Sequence, residues 1–271
     1  MSSGNEQNGY YKDFNGLAHL AKAYRAAYVY DGIYSEHRRK TFGTKADNPG
    51  KQFVVFSQNH DQVGNRMLGE RSAELVGLEM AKLMAGAVLV SPYLPMLFMG
   101  EEWAEPNPFL YFVSHSDPEL IEAVRNGRKA EFADFHASGT PPDPIAVETY
   151  KNSMLQWELL STEPHKSIHA YYKKLISLRK TEPALRELDR NCLGVACDQD
   201  KQTLMLHRWH GENHICCFMN FSKQNRDVML PTEISKWSMI LNSADERWGG
   251  PGATATQHNS SYPETIIIYK S

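Results

Sequence analysis

Phe53-Val54-Val55-Phe56-Ser57-Gln58-Asn59-His60-Asp61-Gln62 is the stretch on which the reading of this chain turns. Its first four residues are continuously apolar, with no polar alternation. The run is short and made of Val and Phe, which favours a strand over a helix turn, and a strand covered on both faces reads this way in a parallel sheet. It breaks at once into polar residues. Downstream, Ala73 to Val90 carries Leu75, Leu78, Leu83 and Met84 in a helical pattern, and Ser91-Pro92 stops it. Pro95-Met96-Leu97-Phe98-Met99 is a second short buried run, and it ends in Gly100-Glu101-Glu102. Strand, helix, strand, with polar residues after each strand, is the pattern of a parallel α/β unit.

The flanks extend this unit. Upstream, Leu17, Leu20, Tyr24 and Tyr28 predict a helix that Asp31-Gly32 ends, and His37 to Gly50 reads as a loop. Downstream, Asp117-Pro118-Glu119 is a helix start, the helix runs through Ile121 and Val124, and Gly127 suits its end. Gly139 to Pro144 reads as a proline-rich linker. A longer helix follows His165, turns Ile168, Tyr172, Leu175 and Ile176 inward, and ends at Glu182-Pro183. After about residue 190 the runs become short and β-rich: Thr203 to Trp209, His214 to Asn220 and Thr265 to Tyr269. Turn residues separate them, as in an antiparallel β module. The boundary is expected near Leu188, with residues 1–187 in one unit and 188–271 in the other.

Composition excludes several classes. The 271 residues are 41% hydrophobic and 23% charged, ordinary for a globular chain and too apolar for a disordered one. A formal charge of −3 lacks the basic excess of a nucleic-acid binder. The apolar stretch Leu83 to Val90 falls far short of the roughly 20 residues of a membrane helix, and no signal peptide is visible in Met1 to Gly9. Four Cys do not make a disulfide framework in a chain of this size. The expected setting is the reducing cytoplasm, with no nucleic-acid or membrane partner.

The residues that could carry chemistry sit after the strands, where ligands bind in α/β folds. In Asn59-His60-Asp61 an acid beside an imidazole can hold sugar hydroxyls and stabilise a cationic transition state. The same residues also suit a structural role, with Asp61 capping the next turn and His60 filling a polar gap. Glu101-Glu102 could be an acid/base couple, but adjacent residues rarely face one pocket, and solvated acids in a turn are the simpler reading. Cys192, Cys197, Cys216 and Cys217 lie near His207, His210 and His214, yet neighbouring strand residues face opposite ways, so buried thiols are expected and no metal. Trp103, Phe109, Tyr111, Phe112 and His115 could stack on sugars, although an apolar patch under a loop explains them more simply. Gly64 and Gly69 are too sparse for a phosphate loop, and no cofactor is expected.

Together, Phe53 to Arg66 and Pro95 to Glu102 resemble the seventh- and eighth-strand segments of the α-amylase family of glycoside hydrolases. Gln62-Val63-Gly64-Asn65-Arg66, Pro108 to His115, Val124 to Arg128 and Tyr150 to Leu159 around Trp157 are similar to its trehalose-releasing members. The resemblance implies an α/β fold: the C-terminal part of a (β/α)8 barrel, its last strands and helices, followed by an all-β antiparallel domain. It implies retaining hydrolysis of an α-1,4-glucan through an oxocarbenium-like transition state, releasing trehalose from maltooligosyl trehalose. Asp61 matches the family's transition-state-stabilising acid. His60 matches a hydrogen bond to the same sugar, and Asn59, Gln62 and Arg66 are weaker candidates for substrate contact. The family's nucleophile Asp, in an Arg-x-Asp motif, and its acid/base Glu lie before the segment that Leu17 to Tyr28 resembles. Asp189-Arg190 and Asn225-Arg226-Asp227 do not replace them. A C-terminal fragment, inactive alone, is therefore expected. The alternatives are a stand-alone carbohydrate-binding or scaffold protein, or part of a relative such as a branching enzyme. Two barrel strands without neighbours leave open edges. Self-association, pairing with a missing N-terminal half, or Gly9 to Tyr34 folding across the gap would cover them.

Overall fold

The computed structural model describes residues 13–14, 16–133, 140–234, 236–252 and 260–271. Helix α1 (Leu17–Ala26) forms as its apolar spacing predicts and buries Leu17, Ala21 and Tyr24. The expected loop after it is partly a hairpin, β1 (Asp31–Ser35) against β2 (Lys40–Gly43). Remote chemistry makes this hairpin, which is why its local sequence hid it. The Asp13 carboxylate accepts from Tyr30 Oη at 2.7 Å, from the His37 amide at 3.1 Å and from Ser35 Oγ. Phe42 packs edge-on to Tyr30 and beneath the Arg38 guanidinium.

A helical turn over Gly50–Gln52 leads into β3 (Val54–Val55), then α2 (His60–Gly64), α3 (Ser72–Val76), α4 (Leu78–Leu89) and β4 (Leu94–Pro95). β3 and β4 are parallel, with Val54 opposite Leu94 and Val55 opposite Pro95. The ladder is shorter than the apolar runs suggest. Pro95 has no N–H to extend it, and the Phe53 ring instead packs on Tyr93 and Tyr28. The single helix expected over 73–90 is two, because Gly77 takes φ 83 between them, a conformation that glycine reaches without strain.

A helical turn over Glu101–Trp103 follows, then α5 (Pro118–Ala133), α6 (Val147–Asn152), another turn over Trp157–Ser161, α7 (His165–Thr181) and α8 (Pro183–Arg186). α5 passes its expected stop at Gly127. That glycine faces open space, and a helix tolerates one for about 1 kcal/mol. The linker expected over 139–144 lies outside the described residues at Gly139. At its other end Asp143 binds Arg125 of α5.

The rest is β: β5 (Leu193–Asp198), β6 (Thr203–His210), β7 (Asn213–Asn220), β8 (Arg226–Asp227), β9 (Ser238–Asn242), β10 (Ser260–Ser261) and β11 (Thr265–Lys270). Five of them form an antiparallel sheet in the order β5-β6-β7-β11-β9. This bears out the switch read after residue 190. One face of the sheet shares a core with α4 and α7, through Leu83, Tyr171, Leu175, Leu206, Cys217 and Ile266. Cys216 faces the other way, among Ile267, Tyr269 and Trp237.

Two buried cations, Arg208 and Lys82, lock the α/β part onto the sheet, and half-buried Arg179 of α7 reinforces the end of α4. Arg208, 1% exposed, donates to the carbonyls of Val90, Ser91, Leu185 and Glu187. Arg179 donates to those of Leu89, Ser91 and Tyr93. Together they satisfy the carbonyls that the end of α4 leaves open and hold the turn into β4. Lys82 reaches from α4 to Ser243 O at 2.8 Å and to Trp248 O at 3.2 Å.

Candidate functional site

The polar residues after β3 enter α2 directly. Asn59 is its cap: Asn59 Oδ1 accepts from the Asp61 amide at 2.8 Å and the Gln62 amide at 3.2 Å. The Gln62 side chain returns the bond, accepting from the Asn59 amide at 3.1 Å. This reciprocal pair closes the helix start. The cap is therefore Asn59, not Asp61, and the structural role considered for Asp61 falls to its neighbour. His60 fills no polar gap either. Its side chain is 70% exposed and that of Asp61 63%, with His60 Nε2 3.3 Å from Asp61 Oδ1. The structure thus presents an acid and an imidazole side by side, both reaching into solvent at the carboxyl end of a parallel strand.

Gln62 is committed to the cap. Arg66, just beyond the C-terminal end of α2, sits 3.3 Å from Glu70 Oε2 through Nε. The α2 backbone is held from outside by Arg128 of α5, which donates to Gly64 O at 3.2 Å and lies 4.7 Å from the Tyr111 ring. The aromatic cluster divides. Trp103 is buried against Trp157, and Phe109 packs edge-on to Phe98, while Tyr111 and Phe112 remain exposed. Of the cluster's rings only Trp103 is core, at 1% exposed, and Trp157 against it is 62% exposed.

The structure corrects the reading of Glu101-Glu102 as solvated acids. Glu101 is buried, and burial pushes its carboxyl up to about 7 although hydrogen bonds pull it down. It accepts from the Phe98 amide at 3.1 Å and from Tyr172 Oη at 3.3 Å. Buried Glu105 accepts from Trp103 Nε1 and from the amides of Asn107 and Gln156. Arg71, 2% exposed, donates to the carbonyls of Met99 and Asn107. A cavity of about 20 Å³ lies between Gln58, Arg71, Glu101, Glu105 and Tyr172, room for about one water molecule. Sequence reasoning missed this cluster. Gln58 and Arg71 look like ordinary polar residues until the fold buries them.

Among the described residues, no group of three or more His, Cys, Asp or Glu side chains is arranged to hold a metal. His207 Nε2 and His214 Nδ1 are 3.1 Å apart, but this pair belongs to the sheet. No helix of the described residues is long and apolar enough to cross a membrane. A separate open cleft of about 660 Å³, lined by Arg25, Asn48, Lys51, Asp189, Arg190 and His210 among others, includes none of Asn59, His60, Asp61, Gln62 and Arg66.

No protein-family model matches the chain. It is 46% identical over 176 residues to a malto-oligosyltrehalose trehalohydrolase of Saccharolobus solfataricus, a match covering 65% of this chain and 29% of that protein. It is 38% identical over 252 residues to one from Deinococcus radiodurans, covering 89% and 41%. The chain spans a third or so of the length of the curated relatives it matches, and the matched portion is C-terminal. Among solved structures it is similar to a putative alpha amylase from Salmonella typhimurium, with TM-score 0.83 and 31% identity, over all of this chain and 44% of that one. The architecture is that of the C-terminal region of α-amylase-family enzymes, α/β elements leading into an antiparallel β domain.

Proposed function

From this similarity to part of a trehalohydrolase, we propose that the chain is the substrate-orienting, C-terminal portion of an enzyme that hydrolyses α-1,4-glucans, releasing trehalose from maltooligosyl trehalose. The observation that carries the proposal is the solvent-facing Asp61 carboxylate beside His60 at the carboxyl end of β3. Asp61 is the acid that holds the hydroxyls of the sugar being cleaved and offsets the positive charge of an oxocarbenium-like transition state. His60 hydrogen-bonds the same sugar. Asn59 and Gln62 act chiefly by fixing the cap that aims both, and Arg66 lies farther along as a substrate contact.

β3 and β4 are then the last two strands of an eight-stranded barrel, residues 1–187 the barrel portion and 188–271 the β domain. Retaining hydrolysis needs a nucleophile and an acid/base as well, and this chain offers no Arg-x-Asp at a strand end. The 271 residues alone therefore bind sugar without cleaving it. Their open strand edges pair with the rest of a barrel, or with a second copy of the chain when that is absent. The site of action is the cytoplasm, in keeping with four free cysteines.

A hydrolysis assay on maltooligosyl trehalose tests the proposal, first with this chain alone and then with the segment that precedes the matched region in the Deinococcus relative. No trehalose from the chain alone is expected, and release on reconstitution. Turnover by the chain alone, abolished by Asp61→Asn, would sink the division of labour. Reconstituted turnover indifferent to Asp61→Asn would sink the role of Asp61.

A further inference from the structure

The end of β3, the head of α3 and the loop after β4 meet around one small cavity. Arg71 stands where they meet. Its carbonyl opens α3 by accepting from the Glu74 and Leu75 amides at 3.1 and 3.2 Å. Its side chain turns inward, and the residue is 2% exposed. Nε donates to Asn107 O and Nη1 to Met99 O, each at 2.7 Å. The guanidinium also lies 5.1 Å from the centre of the Phe98 ring. A single planar fork thus spans both ends of the loop from Met99 to Asn107. The next residue makes the other tie: the Ser72 amide donates to Gln58 Oε1 at 3.0 Å. Gln58, 5% exposed, is joined by its own peptide bond to Asn59, the cap of α2. β3 and β4 share only a two-residue ladder. Beyond it these side-chain bonds, with Phe109 N–H to Gly69 O at 2.9 Å, carry the connection.

We infer that Arg71 is a positioning residue: it fixes the head of α3 to the loop after β4, and α3 through Ser72 and Gln58 fixes the strand end from which Asn59, His60 and Asp61 project. Each link is a hydrogen bond or a peptide bond. A buried guanidinium is costly unless its charge and donors are answered. Here Glu101 and Glu105 line the same cavity, and the two carbonyls take its donors. What this does for a sugar rests on the reading of Asp61 above; the coupling itself does not.

Solvent-exchange nuclear magnetic resonance on the full 271-residue chain reads the coupling. The Asp61 and Gln62 amides report on it, because both donate to the Asn59 cap. In Arg71→Met their exchange should quicken about tenfold, as for the loss of hydrogen bonds to a charged group, while the Leu206 and Phe218 amides of the sheet keep the parent's rates. Arg71→Lys keeps the charge, reaches one carbonyl at a time and falls between. Gln58→Leu cuts the tie to Ser72 and leaves Arg71 in place, so it quickens the same two amides. Adding Arg71→Lys to it changes nothing more, as a shared path requires. Should Arg71→Met not fold, the Arg71→Lys and Gln58→Leu variants decide. Asp61 and Gln62 amides that exchange at the parent's rate in both of these overturn the inference. So do additive effects in the double variant, or an equal quickening of the sheet amides. Exchange needs no sugar, so a parent chain that binds no maltooligosyl trehalose defeats the sugar reading while the exchange rates still decide the role of Arg71.

Discussion

Asn59 commits its side-chain oxygen to two backbone amides, and that leaves Asp61, two positions on, exposed at 63%. The two residues should therefore fail differently. Asn59→Ala should cost about 1 kcal/mol, as for other lost caps, read by denaturant unfolding. Asp61→Asn removes a charge from a side chain in solvent, so stability should stay within about 0.5 kcal/mol. Glu101 makes a third case, one of pH. Its folded carboxyl is raised to about 7 from an ordinary 4.5, so the folded state binds the proton more tightly than the unfolded one. Stability from this group is fullest below about pH 4.5, falls as pH rises towards 7 and is level above. The span is about 3 kcal/mol at most. Melting temperatures from pH 4.5 to 8 should show this slope in the parent, and Glu101→Gln should flatten it. The sequence marked Asn59, His60 and Asp61 because polar residues that end an apolar run stand out. It did not divide cap from exposed acid, since Asn and Asp both cap helices, nor reveal that Glu101 is buried rather than solvated, since that burial depends on α7 more than seventy positions away.

At the scale of elements, periodicity told most where packing and local pattern agree. α1, α7 and the strands β6, β7 and β11 fall where the apolar spacing put them. It told least where long-range ties decide: the β1–β2 hairpin closes on Asp13, and the α3–α4 break depends on the backbone of Gly77. The turn before β3 is another such place. Gly50 passes between two carbonyls, and a Cβ there would lie 2.1 Å from Pro92 O and 2.5 Å from Leu188 O. Backbone on both sides cannot yield cheaply. Gly50→Ala should thus lose about 1–3 kcal/mol, the usual range for overpacking, while Gly127→Ala in α5, facing open space, should gain a few tenths to about 1 kcal/mol. Paired denaturant unfolding curves would check both signs.

For the whole molecule, the paired β3 and β4 find no further strand among the described residues, and Val54 is 55% exposed and Leu94 41%. Of the covers considered for this edge, residues 9–12 and 15 lie outside the described residues. The described part of Gly9 to Tyr34 does not pair with β3 or β4: α1 packs on β5 and β6, and β1 pairs with β2. Light scattering on the 271-residue chain should show concentration-dependent association, and a strict monomer at high concentration would leave the edge without a cover. The central claim is that this chain orients an α-glucan through Asp61 without cleaving it. Calorimetric titration of maltooligosyl trehalose into the chain and into its Asp61→Asn variant, with trehalose release followed in the same samples, tests it most directly. The account predicts saturable binding by the parent, about tenfold weaker in the variant for a lost charged hydrogen bond, and trehalose from neither. Equal binding by the two proteins, or trehalose released by the parent, would contradict it.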